Sequence, residues 1–168
     1  TTLNGLDRFD KPIGVYWLQA ISASIFGLNE FAFRLPSALS GWLASLALAR
    51  FAQQLWGPRA GLLAAVISAT SLGPWAMART ATADALLGLF FVLIFIDLWR
   101  VVSSNSVASR RKLALWVALG LLVKGPVAIV VPLGTLAIYS LLMPQARTPL
   151  KALFSDGVAW LVLLAVSC

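Results

Sequence analysis

The chain has 168 residues, of which 60% are hydrophobic and only 11% charged. Thirteen Lys and Arg against six Asp and Glu give a net charge of +7, with no histidine and one cysteine, Cys168. A soluble domain carries about 25% charged residues, so this composition belongs in lipid, and it excludes an internal disulfide or a Cys/His zinc site.

The excess of cations does not point to nucleic acid. The charges lie between apolar runs and form no continuous basic stripe, as expected of cationic loops facing anionic lipid. Residues 1–12 are polar and turn-rich. The start, Thr1-Thr2-Leu3-Asn4-Gly5, has no initiator methionine, basic region or apolar run, so it is not a signal peptide. Residues 13–27 form an amphipathic, aromatic segment ending at Gly27. At about 15 residues it is short for a span and is expected to lie at the membrane interface. Leu28-Asn29-Glu30 turns the chain into a first span over 33–55, with Arg34 and Pro36 at its start.

Trp56-Gly57-Pro58-Arg59 reads as a tight turn, because Gly-Pro punctuates and proline suits a helix start. A second span is predicted over 60–78, a polar break over Arg79–Asp84, and a third span over 85–99. A serine-rich loop is expected over 100–112, then an apolar run over 113–123 that stops at Lys124-Gly125-Pro126. A fifth run covers 127–143, a loop 144–156, and a sixth run follows. Its last stretch, Trp160–Cys168, is shorter than the about 20 residues a span needs, so the chain reads as a piece of a longer membrane protein. The expected fold is all-α. An outer loop with an interfacial helix (1–32) precedes a polytopic transmembrane helix bundle (33–168) of about five spans and a truncated sixth.

Alternating spans sort the loops onto two sides. One side holds Arg50, Arg59, Arg100, Arg110, Arg111, Lys112, Arg147 and Lys151, eight of the 13 cations, and is expected to be cytoplasmic. The other holds Arg8, Lys11, Arg34, Arg79 and Lys124, with the acids Asp7, Asp10, Glu30 and Asp84. Both signs of charge gathered on the outer side suit a site better than an orientation signal.

Lys11, in Phe9-Asp10-Lys11-Pro12, can act as a point charge for a phosphate, with free N–H groups at the helix start after Pro12. On spacing alone it reads more readily as a lysine snorkelling beside Tyr16 and Trp17 in an aromatic belt. Asp84 can hold a sugar hydroxyl, a metal or a cation; equally, it can be the N-cap of the span that begins at Ala85. Lys124 before Gly-Pro can complement a helix C-terminus or serve as a second anion ligand. Arg34 and Arg79 can bind phosphate through a planar fork, or pair with Glu30 or Asp84. Asp97 most simply pairs with Arg100 at i, i+3. Small residues (Ser37, Gly41, Ala44, Ser45, then Gly57, Gly61, Ala65) suit close helix packing. No Walker loop, Rossmann glycines, nucleophile elbow or zinc motif is present.

Several segments in order resemble one family. Leu3-Asn4-Gly5, Phe9-Asp10-Lys11-Pro12 and Tyr16-Trp17-Leu18 are similar to the outer-loop motif of bacterial lipid-A aminoarabinose transferases. Phe26-Gly27-Leu28-Asn29-Glu30-Phe31 with Arg34-Leu35-Pro36-Ser37-Ala38-Leu39 resembles the next segment. Ala78-Arg79, Asp84 and Gly120-Leu121-Leu122-Val123-Lys124-Gly125-Pro126 follow in the family's order. The resemblance covers most of residues 3–135. It implies a GT-C type membrane glycosyltransferase, related to protein O-mannosyltransferases. Such enzymes move a sugar from a polyprenyl-phosphate carrier, undecaprenyl phosphate in bacteria, to a lipid, glycan or protein acceptor. The implied place is the periplasmic face of the inner membrane. The resemblance implies that Lys11 contacts the carrier phosphate, with Asp10 and Asp84 in the same cavity; on mechanistic grounds Arg79 or Lys124 is expected to help Lys11 stabilise the leaving phosphate. It associates a divalent metal with that cavity, but the chain has no histidine to complete such a site, and metal is left unassigned.

Two departures stand out. Ile13-Gly14 replaces a second proline after Lys11-Pro12, and the family's catalytic aspartate is implied upstream of Leu3, so the chain alone is expected to be inactive. The rival reading is a piece of a transporter or lipid flippase. Charges at a broken helix in the bilayer midplane would favour it, whereas charges at span ends favour interfacial transfer.

Overall fold

The computed structural model describes residues 2–3, 6–7, 12–143, 151 and 155–167. Thr2–Leu3 (β1) pairs antiparallel with Leu6–Asp7 (β2). Apart from that short ladder, the described residues are helical, in keeping with an all-α membrane bundle. The helices are α1 (Gly14–Phe26), α2 (Glu30–Trp56), α3 (Pro58–Thr70), α4 (Leu72–Arg79), α5 (Ala83–Ser104), α6 (Val107–Lys124), α7 (Val127–Leu142) and α8 (Gly157–Ser167).

The interfacial segment becomes α1, which stops at Gly27 with φ +81. Asn29 then caps α2: its Oδ1 accepts from Ala32 N at 2.8 Å, and its Nδ2 donates to the Phe26 carbonyl at 2.8 Å. That cap starts α2 at Glu30 rather than at residue 33, so the boundary expected after residue 32 falls inside the helix. It also places Pro36 within the helix instead of in its first turn. Gly57 closes α2 with φ +89, and Pro58 opens α3, as the Gly-Pro pair requires.

Gly57 has open space around a would-be Cβ, so only its backbone demands glycine. Gly57→Ala is therefore expected to cost about 1–3 kcal/mol, read as a lower thermal midpoint in detergent.

The second span differs from expectation. It breaks at Ser71, whose φ −66 and ψ 132 are extended, into α3 and α4. The cause is local chemistry. Pro74 has no N–H for the Thr70 carbonyl, while Thr70 Oγ1 and Ser71 Oγ turn back to the Val66 and Ile67 carbonyls at 2.7 and 2.5 Å. The two pieces together retrace α2. Near one end a Cβ on Gly61 would stand 2.9 Å from the Ala49 carbonyl oxygen; near the other, a Cβ on Gly41 would stand 2.9 Å from Ala78 Cβ. The small residues thus mark the places of closest helix approach.

The expected loop over 100–112 is also mostly helix. α5 runs to Ser104 and α6 begins at Val107. Asn105, in the left-handed region at φ 50, returns its N–H to the Val101 carbonyl at 2.9 Å. Ser106 then accepts from Ser109 N at 3.3 Å, so two residues make the turn. Serines that composition assigns to a loop are here helix caps and a helix end.

α5 and α6 pack as an antiparallel pair at the centre, with α2 and α7 against α5, and α1, α7 and α8 against α6. Two apolar clusters form the core. One gathers Ile94, Leu98, Leu113, Val117 and Leu136; the other gathers Leu86, Leu87, Leu89, Phe90, Val123 and Ala128. Among the described helices, α2 and α5 are each long and apolar enough to cross a bilayer alone. Large apolar side chains such as Trp42 (62%), Leu62 (67%) and Ile138 (61%) stand exposed, as lipid-facing positions do.

Candidate functional site at one end of the bundle

Asp84 lies in the first turn of α5 and Lys124 in the last turn of α6. Antiparallel packing brings these ends together, and Lys124 Nζ donates to Asp84 Oδ1 as an ion pair. Each charge also suits its own helix, an acid at an N-terminus and a cation at a C-terminus. Asp84 is therefore not the N-cap. Thr82 takes that position, with its Oγ1 3.1 Å from Thr80 Oγ1 rather than on the backbone. The Asp84 and Lys124 side chains are 39% and 44% exposed. A pair so open contributes only about 0–1 kcal/mol and leaves both groups accessible to a ligand.

Three elements enclose this end. Gly125 turns the chain with φ +73, and a Cβ there would stand 3.8 Å from Pro12 Cγ. A Cβ on Gly14 would stand 2.7 Å from the Leu122 carbonyl oxygen, so the start of α1 lies directly on the end of α6. The turn between α4 and α5 is held from two sides: Gln19 Nε2 donates to the Ala81 carbonyl at 3.4 Å, and Ser37 Oγ donates to the Thr82 carbonyl at 3.2 Å. The role of Gln19 was not readable from sequence, since a polar residue on an amphipathic helix ordinarily faces solvent.

Lys11 and Asp10 lie outside the described residues. Arg79 ends α4 at the same end of the bundle, but its guanidinium stacks on Trp75, 4.4 Å from the ring centre, and it makes no ion pair among the described residues. Arg34 pairs with Glu30 at 3.3 Å, one of the pairings its position allowed. The structure thus brings Asp84 and Lys124 together and commits Arg79 and Arg34 to local partners. No three Asp, Glu or Cys side chains converge among the described residues, and the Asp84 carboxylate faces an ammonium.

The apolar cavities lie elsewhere. One is lined by Ile94, Val117, Ile129, Leu136 and Trp160, another by Phe51, Phe95, Trp99 and Tyr139. Neither Asp84 nor Lys124 lines either of them.

An apolar helix bundle with an accessible acid–base pair at one end, rather than at a midplane break, defines a polytopic membrane protein with an end-face polar site. The model of the dolichyl-phosphate-mannose-protein mannosyltransferase family matches residues 10–168, and the chain belongs to that family. It is 33% identical over 134 residues to the undecaprenyl phosphate-alpha-4-amino-4-deoxy-L-arabinose arabinosyl transferase of Erwinia tasmaniensis, covering 76% of this chain and 24% of that protein. Against the enzyme of the same name from Aeromonas hydrophila it is 31% identical over 140 residues, covering 80% of this chain and 26% of that protein. The chain thus spans about a quarter of the length of these relatives. Its fold matches crystal structures of ArnT from Cupriavidus metallidurans. The apo form has a TM-score of 0.88 at 24% identity, over 99% of this chain and 32% of that one. The form bound to undecaprenyl phosphate has a TM-score of 0.82 at 24% identity, over 98% and 31%. The resemblance read from the ordered motifs is borne out.

Proposed function

We propose that the chain forms the donor-phosphate side of a glycosyltransferase. The enzyme moves a sugar from undecaprenyl phosphate to a lipid, glycan or protein acceptor at the periplasmic face of the inner membrane. The observation that carries this reading is the accessible Asp84–Lys124 pair, standing where the ends of α4, α5 and α6 meet the start of α1. The donor class named for the relatives, an undecaprenyl phosphate-linked aminoarabinose, supports it. In this reading residues 1–32 form the outer segment and 33–168 the bundle, with lipid A as one acceptor class.

The reaction is a displacement at the anomeric carbon. An acceptor oxygen attacks that carbon, the bond to the carrier phosphate breaks, and the electron pair leaves with the phosphate oxygen. The acceptor's proton passes to a carboxylate base, which the family resemblance implies upstream of Leu3. Negative charge grows on the departing phosphate, and a cation already in place stabilises it most in the transition state. Lys124 and Lys11 fill that role. Asp84 holds the Lys124 ammonium at the end of α6 until the phosphate arrives, then orients the sugar.

The test uses the full-length protein in vesicles with an undecaprenyl phosphate-linked sugar. Lys11→Ala is expected to lower transfer by about 10²-fold at equal expression. Transfer at the unaltered rate would remove Lys11 from the site, and a protein that moves the intact donor across the vesicle without transfer would favour the transporter reading.

A further inference from the structure

Asp97 is a buried carboxylate that the proposed reaction does not use. It is 3% exposed, and it lies on α5 thirteen residues beyond Asp84 (97 − 84), about 20 Å along the helix. A carboxylate at that depth needs partners, and it has two. Trp116 Nε1 of α6 donates to its Oδ2 at 2.9 Å, and Arg100 donates to its Oδ1 at 3.3 Å. A second nitrogen of Arg100 reaches Gln54 Oε1 of α2 at 3.2 Å. One carboxylate thus ties α5 to α6 directly and to α2 through Arg100.

The Trp116 ring carries this clasp toward the candidate site. It stacks on Phe90 with centroids 6.4 Å apart and planes 23° apart, and it packs against both core clusters. The second cluster includes Leu86, two residues after Asp84, and Val123, which precedes Lys124. Between this clasp and the Asp84–Lys124 pair, the core that α5 and α6 share is apolar. In lipid, hydrogen bonds between helices add to side-chain packing in fixing which residues face one another. Asp84 and Lys124 meet only if α5 and α6 keep one register.

We infer that Asp97 is a positioning residue: through Trp116 it holds the α5–α6 register that places Lys124 against Asp84. This rests on the proposed role of that pair in transfer, and two readouts keep the claims apart.

The first readout is a spin-label distance between Ala81→Cys and Val127→Cys in the full-length protein cleared of other reactive cysteines. Both positions are exposed at the site end. Trp116→Phe keeps a ring for Phe90 and removes the indole N–H; Asp97→Leu removes the carboxylate. Each is expected to shift or broaden the distance distribution by about an ångström or more, and an unchanged distribution in both overturns the inference whatever the activity. The second readout is kinetic. Trp116→Phe is expected to lower kcat about tenfold, with the donor KM little changed, because small displacements of a catalytic group are costly. In an Asp84→Asn background the same change should have no further effect, as expected for coupled residues. Equal loss in both backgrounds, with a lowered thermal midpoint, would make the clasp merely structural. If Asp84→Asn alone leaves transfer intact, the role of the pair in catalysis falls, while the label distance still decides whether Asp97 sets the register.

Discussion

Lys124→Ala in the full-length protein is expected to cut sugar transfer by about 10²–10³-fold while the protein remains folded in the membrane. In the proposed reaction the size follows from what is lost: a cation held where charge develops on the leaving phosphate. The stability cost is small because the Asp84–Lys124 pair is open to solvent on both sides, and such pairs contribute about 0–1 kcal/mol. Lys124→Arg keeps the charge but replaces a compact ammonium with a planar fork, so it should recover part of the rate. The exchange Asp84→Lys with Lys124→Asp restores an ion pair but reverses both helix-end charges, and it should not recover transfer. Transfer kinetics beside a thermal melt in detergent check all three. Normal turnover in Lys124→Ala would remove this lysine from the site.

Gly14→Val is expected to lower stability by about 1–3 kcal/mol, through overpacking, and to depress transfer as well. A Cβ at residue 14 would stand 2.7 Å from the Leu122 carbonyl oxygen and 3.1 Å from its carbon. These are backbone atoms of α6 and cannot swing aside, so the start of α1 must lift away. That start leads back to Pro12, which sits beside Gly125, next to Lys124. A displacement of about 1 Å near a catalytic group can cost up to about 10²-fold in rate. Gly14→Ala brings the same Cβ and should show a weaker form of both effects, whereas Gly73→Ala in α4, with open space at its Cβ, tests for a general effect of replacing glycine. A melt and a transfer assay on the three variants separate these cases. If Gly14→Val melts with the unaltered protein, the close α1–α6 approach is not needed.

Much of the organisation was legible in the residues. Apolar runs between charged turns announced a membrane bundle, because in lipid the backbone must satisfy its own hydrogen bonds and helices do so locally. Gly27, Gly57 and Gly125 marked three helix ends correctly, since each takes a positive φ that other residues resist. Misreadings came where a polar residue had two uses. The serines around residue 104 looked like loop, yet they end and cap helices. Thr70 and Ser71 lay inside an apolar run, yet with Pro74 they split it. Asp84 was open to two readings, a cap or a partner for a cation, and it bonds a lysine 40 residues away.

Composition and order along the chain were enough to decide the solvent, the helical class and the family, because these depend on hydropathy, local backbone preference and motif succession. Which charges meet was a different matter. Lys124 could have satisfied its helix end alone, and Arg79 could have taken Asp84 as its partner. Only the antiparallel packing of α5 on α6 set Asp84 against Lys124, left Arg79 on Trp75, and tied Asp97 to Trp116. Contacts between distant residues depend on how the helices are registered, and that register is a property of the packed bundle rather than of any one segment.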